Sequence, residues 1–415
     1  MEVYKFTKDT ILLNKCESAL DVQNAVDEIF LCKKELFPKS KDALVFLKPN
    51  LNNDQNALMG NSTDLRILTS VVNSLQRKGY RNITVGDGCN VGINRKNIDV
   101  FSRLRIDRIA HMYEINLLDL NNAPYKEIEL EGGNKVRVAK ICFEAELFIN
   151  LPKIKTHAET QLSICLKNLV GCLSGGIEKK KMHDSLNANI VRLNKQVRPH
   201  LHIVDGLIAM EGNGPGDGKP KKVGLLVAGE DPFLIDAFCA RLVGLEEETV
   251  PYLKIGRKKG YLCEPDLESI RRHSVWMYIE KPPPQRLLTR VLGHNIFMGL
   301  RNLVRPLFDN KPVTGLLYKY GLIQDVYDRE DAKVEKIYLD RTKCNDCNLC
   351  LDYCPTNLPI TSLGFDFSKS EGCIECLYCF FICPEEAIKF EGELGYLSFY
   401  IHKHFNSIKK LYKKA

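Results

Sequence analysis

Ala43-Leu44-Val45-Phe46-Leu47-Lys48-Pro49-Asn50 is a short apolar run that closes on a proline. It reads as a buried strand. Pro49 is expected to stop its pairing, because proline has no N–H to give to a ladder. Moving outward, Ser62, Thr63 and Asp64 are helix-opening residues, and a helix is expected from there to Lys78. Gly79 then stands where a helix-closing glycine belongs. Ile83-Thr84-Val85 is a second strand, closing on Gly86-Asp87-Gly88. Strand, helix and strand of these lengths predict a parallel βαβ unit. Upstream, Val22 to Leu36 has helical spacing, with Val22, Ala25, Ile29 and Cys32 on one side.

The same alternation continues downstream. Leu147 to Leu151 is an apolar run. Residues 161–173 show helical periodicity through Leu162, Cys165, Leu166, Leu169 and Leu173. Leu201 to Val204 and Val223 to Ala228 are strand-like, and Asp231-Pro232 opens a helix through Leu242. Residues 1–255 therefore read as one α/β domain, in one or two lobes. From 256 to 335 the composition turns basic, with Pro282-Pro283-Pro284 and amphipathic spacing around Leu287 to Leu307. This stretch reads as a linker or docking arm. Residues 336–390 form a cysteine module, and 391–415 a basic amphipathic tail.

The chain has 415 residues and a formal net charge of +7, too little over this length to argue for nucleic acid. No run of about eighteen apolar residues predicts a membrane span. The N-terminus lacks the basic and apolar stretches of a signal peptide. A cytoplasmic protein is the expectation. The tail adds an expected peripheral membrane contact, through Lys403, Lys409, Lys410, Lys413 and Lys414 beside Phe399, Ile401, Phe405, Ile408, Leu411 and Tyr412. A solvated, partly ordered tail would show the same residues.

Sixteen cysteines are present. Eight are scattered singly and read as small apolar core residues in a reducing compartment. The other eight make two runs, Cys344-x2-Cys347-x2-Cys350-x3-Cys354-Pro355 and Cys373-x2-Cys376-x2-Cys379-x3-Cys383-Pro384. Three close thiolates grip three corners of an iron–sulfur cubane, and the fourth cysteine of each run reaches the other cluster. The expected ligands are Cys344, Cys347, Cys350 and Cys383 on one 4Fe–4S cluster. Cys373, Cys376, Cys379 and Cys354 hold the second. Zinc would leave the third cysteine of each run surplus. Residues 340–390 resemble the bacterial two-cluster ferredoxins. The fold class is thus a large parallel-sheet α/β domain followed by a small α+β ferredoxin-like domain.

Lys153, Lys155 and His157 alternate along an extended segment and so point the same way. Two cations and an imidazole there suit anion binding and proton transfer. A solvated strand end with snorkelling lysines shows the same pattern. Lys167 and Asn168 lie beside the next apolar stripe. Asp87 and Asp205 follow strands, at the rim where parallel sheets bind ligands, though Asp-Gly also simply turns a chain. Glu211-Gly212-Asn213-Gly214-Pro215-Gly216-Asp217-Gly218 spaces its glycines so that backbone N–H groups could cradle an anion. A flexible surface loop has the same composition. The loop fits neither standard nucleotide motif.

Several phrases together resemble the family called domain of unknown function 362. They are Lys48-Pro49-Asn50, Asn150 to His157, Leu166 to Gly171, Val204-Asp205-Gly206, Met210 to Pro215, and Asp231-Pro232 with Asp236. The resemblance covers roughly residues 40–255. It implies that Lys48, Asn50, Lys153, Lys155, His157, Lys167, Asn168, Asp205, Glu211 and Asn213 line a common site, with Gly212 and Gly214 beside them. It names no substrate. Three readings follow. An iron–sulfur oxidoreductase would deliver electrons to an anionic small molecule, with His157 as proton donor. An electron relay would serve a donor or acceptor protein. A non-redox binding or transferase domain would keep its clusters for structure.

Overall fold

The computed structural model describes residues 1–131, 133–283, 329–363 and 366–411. The chain enters as β1 (Glu2–Lys5) and β2 (Thr10–Lys15), then α1 (Ala19–Cys32) leads to β3 (Val45–Pro49). After it come α2 (Leu65–Arg77), β4 (Ile83–Asp87) and β5 (Asn116–Asp119). A separate hairpin follows, β6 (Tyr125–Leu130) with β7 (Asn134–Ala139). The main sheet resumes with β8 (Leu147–Leu151), β9 (Lys153–His157), β10 (Gln161–Ser163), β11 (Leu201–Glu211) and β12 (Lys219–Gly229).

The sheet order is β1-β2-β12-β11-β8-β3-β4-β5, with β9 pairing β10 and β11. From β11 to β5 the neighbours along this order are parallel. The β1, β2 and β12 side is antiparallel. The predicted parallel βαβ unit is present as β3, α2 and β4. Asp64 caps α2 by accepting the Arg66 N–H, and Gly79 beyond its end has φ +94°. Alternate residues of β3 separate two cores. Val45 and Leu47 face one, and Phe46 joins Phe148 in the other.

β3 ends at Pro49 as expected, with the proline opposite Leu151 as its last residue. A terminal position asks little of the missing N–H. One local expectation changes: residues 161–173 are not one helix. They form β10, a single helical turn at Cys165–Asn168 and a 3₁₀ turn at Leu169–Cys172. All five apolar residues of the stripe are buried, so the spacing reported burial and not helix.

The predicted arm at 256–335 divides. Helices Pro251–Lys258 and Glu264–Arg272 belong to the α/β unit, and Leu262, Leu267, Ile270 and Ile279 are buried in its core. Residues 284–328, including the Leu287 to Leu307 stretch, lie outside the described residues. The cysteine module begins at β13 (Lys333–Leu339), which pairs antiparallel with β14 (Ile388–Glu393). Two short helices, Leu349–Asp352 and Tyr378–Ile382, carry cysteines between them.

The module sits against α2. Thr69 Oγ1 donates to the Pro355 carbonyl at 2.8 Å, and the Leu65 N–H to Tyr378 Oη at 3.1 Å. The Arg66 guanidinium lies 4.1 Å over the Tyr353 ring. The basic tail is a helix, Leu397–Lys410, with Leu397, Tyr400, His404 and Ile408 buried. Tyr400 Oη donates to Asp54, while Lys409 pairs with Glu386 and Lys403 with Asp217. Part of its apolar face is thus spent on internal packing, while Ile401 and Phe405 are only partly buried. Among the described residues, no helix is long and apolar enough to cross a membrane.

Candidate functional site

The cysteines gather as two crossed sets. Cys344, Cys347, Cys350 and Cys383 line one small cavity. Burial pushes the Cys350 thiol up to about 12, and its neighbours Cys383, Cys347 and Cys344 add to the shift. Cys379 is raised by burial, then by Cys376, Cys354 and Cys373. Iron would reverse these shifts, because the ligand form is the thiolate.

The backbone repeats between the runs. Asp346 and Asn348 are left-handed, as are Glu375 and Leu377 at the equivalent positions. Such φ values cost non-glycine residues about 1–2 kcal/mol each, and they tighten both loops around their thiols. Leu358 N–H points at Cys354 Sγ (3.3 Å), and Ala387 N–H at Cys383 Sγ (3.2 Å). Hydrogen bonds to sulfur tune cluster potential. Among the described residues no three His, Cys, Asp or Glu converge on a single ion. A lone zinc would draw its sulfurs to roughly 3.8 Å of one another, from bonds of ~2.3 Å. The two crossed sets supply four thiols each, the ligand number of two cubanes.

A second site lies at the carboxyl ends of β3 and β4, where a parallel sheet binds its ligands. It is a cavity of about 180 Å³. Lys155, Lys167 and Lys179 face it, against the single carboxylate of Asp87. Lys48, buried behind, pairs with Asp87 at 2.7 Å, and Asp87 also takes the Leu51 N–H at 2.6 Å. Gly171 packs on this pair so closely that a Cβ would collide with Asp87 Oδ1 and Lys48 Nζ.

Amides hold the next layer. Asn50 donates to Asn168, and Asn168 to Asn150, each at 2.7 Å. Asn150 meets His202 Nδ1 at 3.0 Å. Lys155 Nζ is gripped by Asn50 Oδ1 (2.8 Å), the Asn61 carbonyl (2.9 Å) and Asn61 Oδ1 (3.1 Å). Burial and the nearby Lys167 push its ammonium well down. Lys179 is likewise held by the carbonyls of Gly88 and Cys89 and by Asn121.

His157 also lines the cavity. Its Nδ1 accepts the Glu159 N–H at 3.1 Å, which assigns the neutral ring's proton to Nε2. Burial, then Lys167 and Lys155, hold the ring far below its ordinary value. Burial thus favours the neutral ring, with its N–H donor at Nε2. Lys167 is the group near neutrality, with burial pulling it to about 8.

The other expected residues lie elsewhere. Lys153 pairs with Asp205 at 2.8 Å, both fully buried, and Asp205 also accepts the Asp64 and Leu207 N–H groups. They fasten β9 to β11 and to the start of α2. Glu211 accepts the Glu280 N–H (2.9 Å). In the glycine loop, the N–H groups of Gly212, Gly214 and Asp217 already reach the carbonyls of Glu280, Gly212 and Asn213. Those N–H groups have no vacancy for an anion, and only Pro215 of this loop reaches the cavity. Sequence reasoning missed Lys179, Asn52, Asn61 and Ser163, which carry no motif of their own, and left Gly171 of the Leu166 to Gly171 phrase without a role. Asp231 is the helix cap its Asp-Pro context predicts. Asp236 accepts the Cys165 and Leu166 N–H groups beneath the Lys167 turn.

The chain is 34% identical over 148 residues to the thylakoid-associated protein sll1697 of Synechocystis, covering 32% of this chain and 46% of that protein. The match thus spans about half of that relative's length. It is 31% identical over 91 residues to the pyruvate synthase subunit PorD of Thermotoga maritima, covering 21% of this chain and 88% of PorD. Among solved structures, the lactate racemase apoprotein from Thermoanaerobacterium thermosaccharolyticum is similar at a TM-score of 0.35 and 12% identity, over 48% of this chain and 51% of that one. Residues 336–388 match the 4Fe-4S dicluster domain, in keeping with the crossed cysteine sets and an electron-transfer role. Residues 45–241, which carry the cavity, match the domain of unknown function (DUF362).

Proposed function

We propose that this chain is an iron–sulfur oxidoreductase whose α/β cavity holds a small anionic molecule. Bound clusters supply one electron at a time. The observation that carries the reading is the segment 50–63, which touches both sites. Asn50 and Asn52 line the cavity, and Asn61 holds Lys155. Six residues past Asn50, Asn56 Nδ2 donates to the carbonyl of Cys376 at 3.1 Å. A change in the cavity is thus one short segment away from a cluster ligand. Three lysine side chains, with the neutral donors of His157 and Ser163, stand against one carboxylate and favour an anion, and the volume, below the ~300–1,000 Å³ of drug-sized sites, favours a small one.

The test adds oxalate or inorganic phosphate to the anaerobic, reduced full chain. Paramagnetic resonance then follows the clusters. A saturable change in the spectrum supports the reading, and binding that leaves the spectrum unmoved argues against it.

A second reading, a relay to a partner protein, has its own observation. Cys347 is exposed while Cys350 of the same set is buried, so one set reaches the surface. Likeness to a pyruvate synthase subunit agrees with a protein partner for electrons. We place the chain in the cytoplasm. Membrane contact would rest on the tail's lysines, beside the partly exposed Ile401 and Phe405. Co-sedimentation with anionic vesicles is expected to be weak and lost at high salt.

A further inference from the structure

The cations around the cavity are not equivalent. Lys155 and Lys179 each have three oxygen acceptors, and Lys48 has Asp87 and the Pro49 carbonyl. Lys167, among the described residues, has no hydrogen-bond or ion-pair partner, yet its side chain lines the cavity. It projects from the single turn Cys165–Asn168, which Asp236 holds through two backbone N–H groups. The turn is rigid and the amine is uncommitted. Beside it stand the neutral His157 ring, a donor at Nε2, and the Ser163 hydroxyl.

We infer that Lys167 is a nucleophilic amine that forms an imine with small aldehydes or ketones bearing a carboxylate. This rests on the anionic-ligand reading of the cavity and adds the substrate class. In the step, the Lys167 Nζ lone pair attacks the carbonyl carbon. A C=N bond replaces C=O, and the oxygen leaves as water with the two amine protons. No oxidant or reductant is consumed. The His157 N–H and the Ser163 hydroxyl are the free donors for the carboxylate. Burial favours the neutral amine that attack requires, as in other desolvated lysine nucleophiles. The ionisable groups around Lys167 are Lys155, Lys179, Asp87, His157, His183 and, near the mouth, Glu159, whose charge partly offsets the burial.

The test incubates the full chain with glyoxylate and cyanoborohydride and maps the reduced adduct by peptide mass spectrometry. At pH 7.5, labelling of Lys167 is expected to exceed that of surface lysines by at least about tenfold, because more of it is neutral. Its rate should level off above pH 8 while theirs keep rising. Lys167→Arg should abolish that adduct with iron content unchanged. No adduct, or labelling no faster than at the surface, overturns the proposal. Oxalate calorimetry separates the two claims. Oxalate binding without an adduct sinks the amine chemistry and leaves the anion site standing, whereas neither binding nor adduct sinks both.

Discussion

The lysines at 153, 155 and 167 have three different jobs, and burial separates them. Lys153 and Asp205 are fully buried and satisfy one another. Removing one partner strands the other charge, so Lys153→Met should cost roughly 3–5 kcal/mol and lower the unfolding temperature. Adding Asp205→Leu should recover much of that loss, and a thermal melt of the three proteins checks it. Burial pulls Lys167 from its ordinary 10.5 down to about 8 in the folded chain. Between those values the unfolded chain binds more protons, so this residue's contribution to stability improves as pH rises through that window. Lys167→Met should therefore raise the melting temperature at pH 7, with the advantage gone by about pH 10.5. The alternation of Lys153, Lys155 and His157 was legible in the sequence, since all three lie on one strand. Their division of labour was not, because Asp205, Asn50 and Asn61 arrive from distant parts of the chain.

At the scale of elements, caps and breakers read well, and buried segments did not. Asp64 and Gly79 bounded α2 closely, because a capping carboxylate and a left-handed glycine act on the adjacent backbone. Residues 161–173 misled because a segment buried on several sides shows apolar spacing without a helix. For the glycine loop, composition does not report that the N–H groups of Gly212, Gly214 and Asp217 are taken by nearby carbonyls. The final helix, Leu397–Lys410, clasps the α/β domain to the cysteine module through Tyr400, Ile408 and Lys409. Deleting residues 397–415 should lower the melting temperature and hasten iron loss in air. Unchanged values would show that the clasp is dispensable. Tyr378→Phe removes the acceptor of the Leu65 N–H and should cost about 1 kcal/mol in the same melt.

For the whole molecule, two sites share one core. The apolar cluster under α1 and α2 continues into Tyr353, Tyr378 and Phe381 of the cysteine module. The two domains were legible from cysteine spacing and strand runs. Their docking was not, since it depends on single contacts such as Thr69 to the Pro355 carbonyl and Asn56 to the Cys376 carbonyl. The most direct measurement is an iron count with an anaerobic reductive titration of the full chain, followed by paramagnetic resonance. About eight irons per chain, in two interacting clusters that both accept electrons, is the predicted result. Half that iron, or a full complement that resists reduction, would contradict the electron-transfer account.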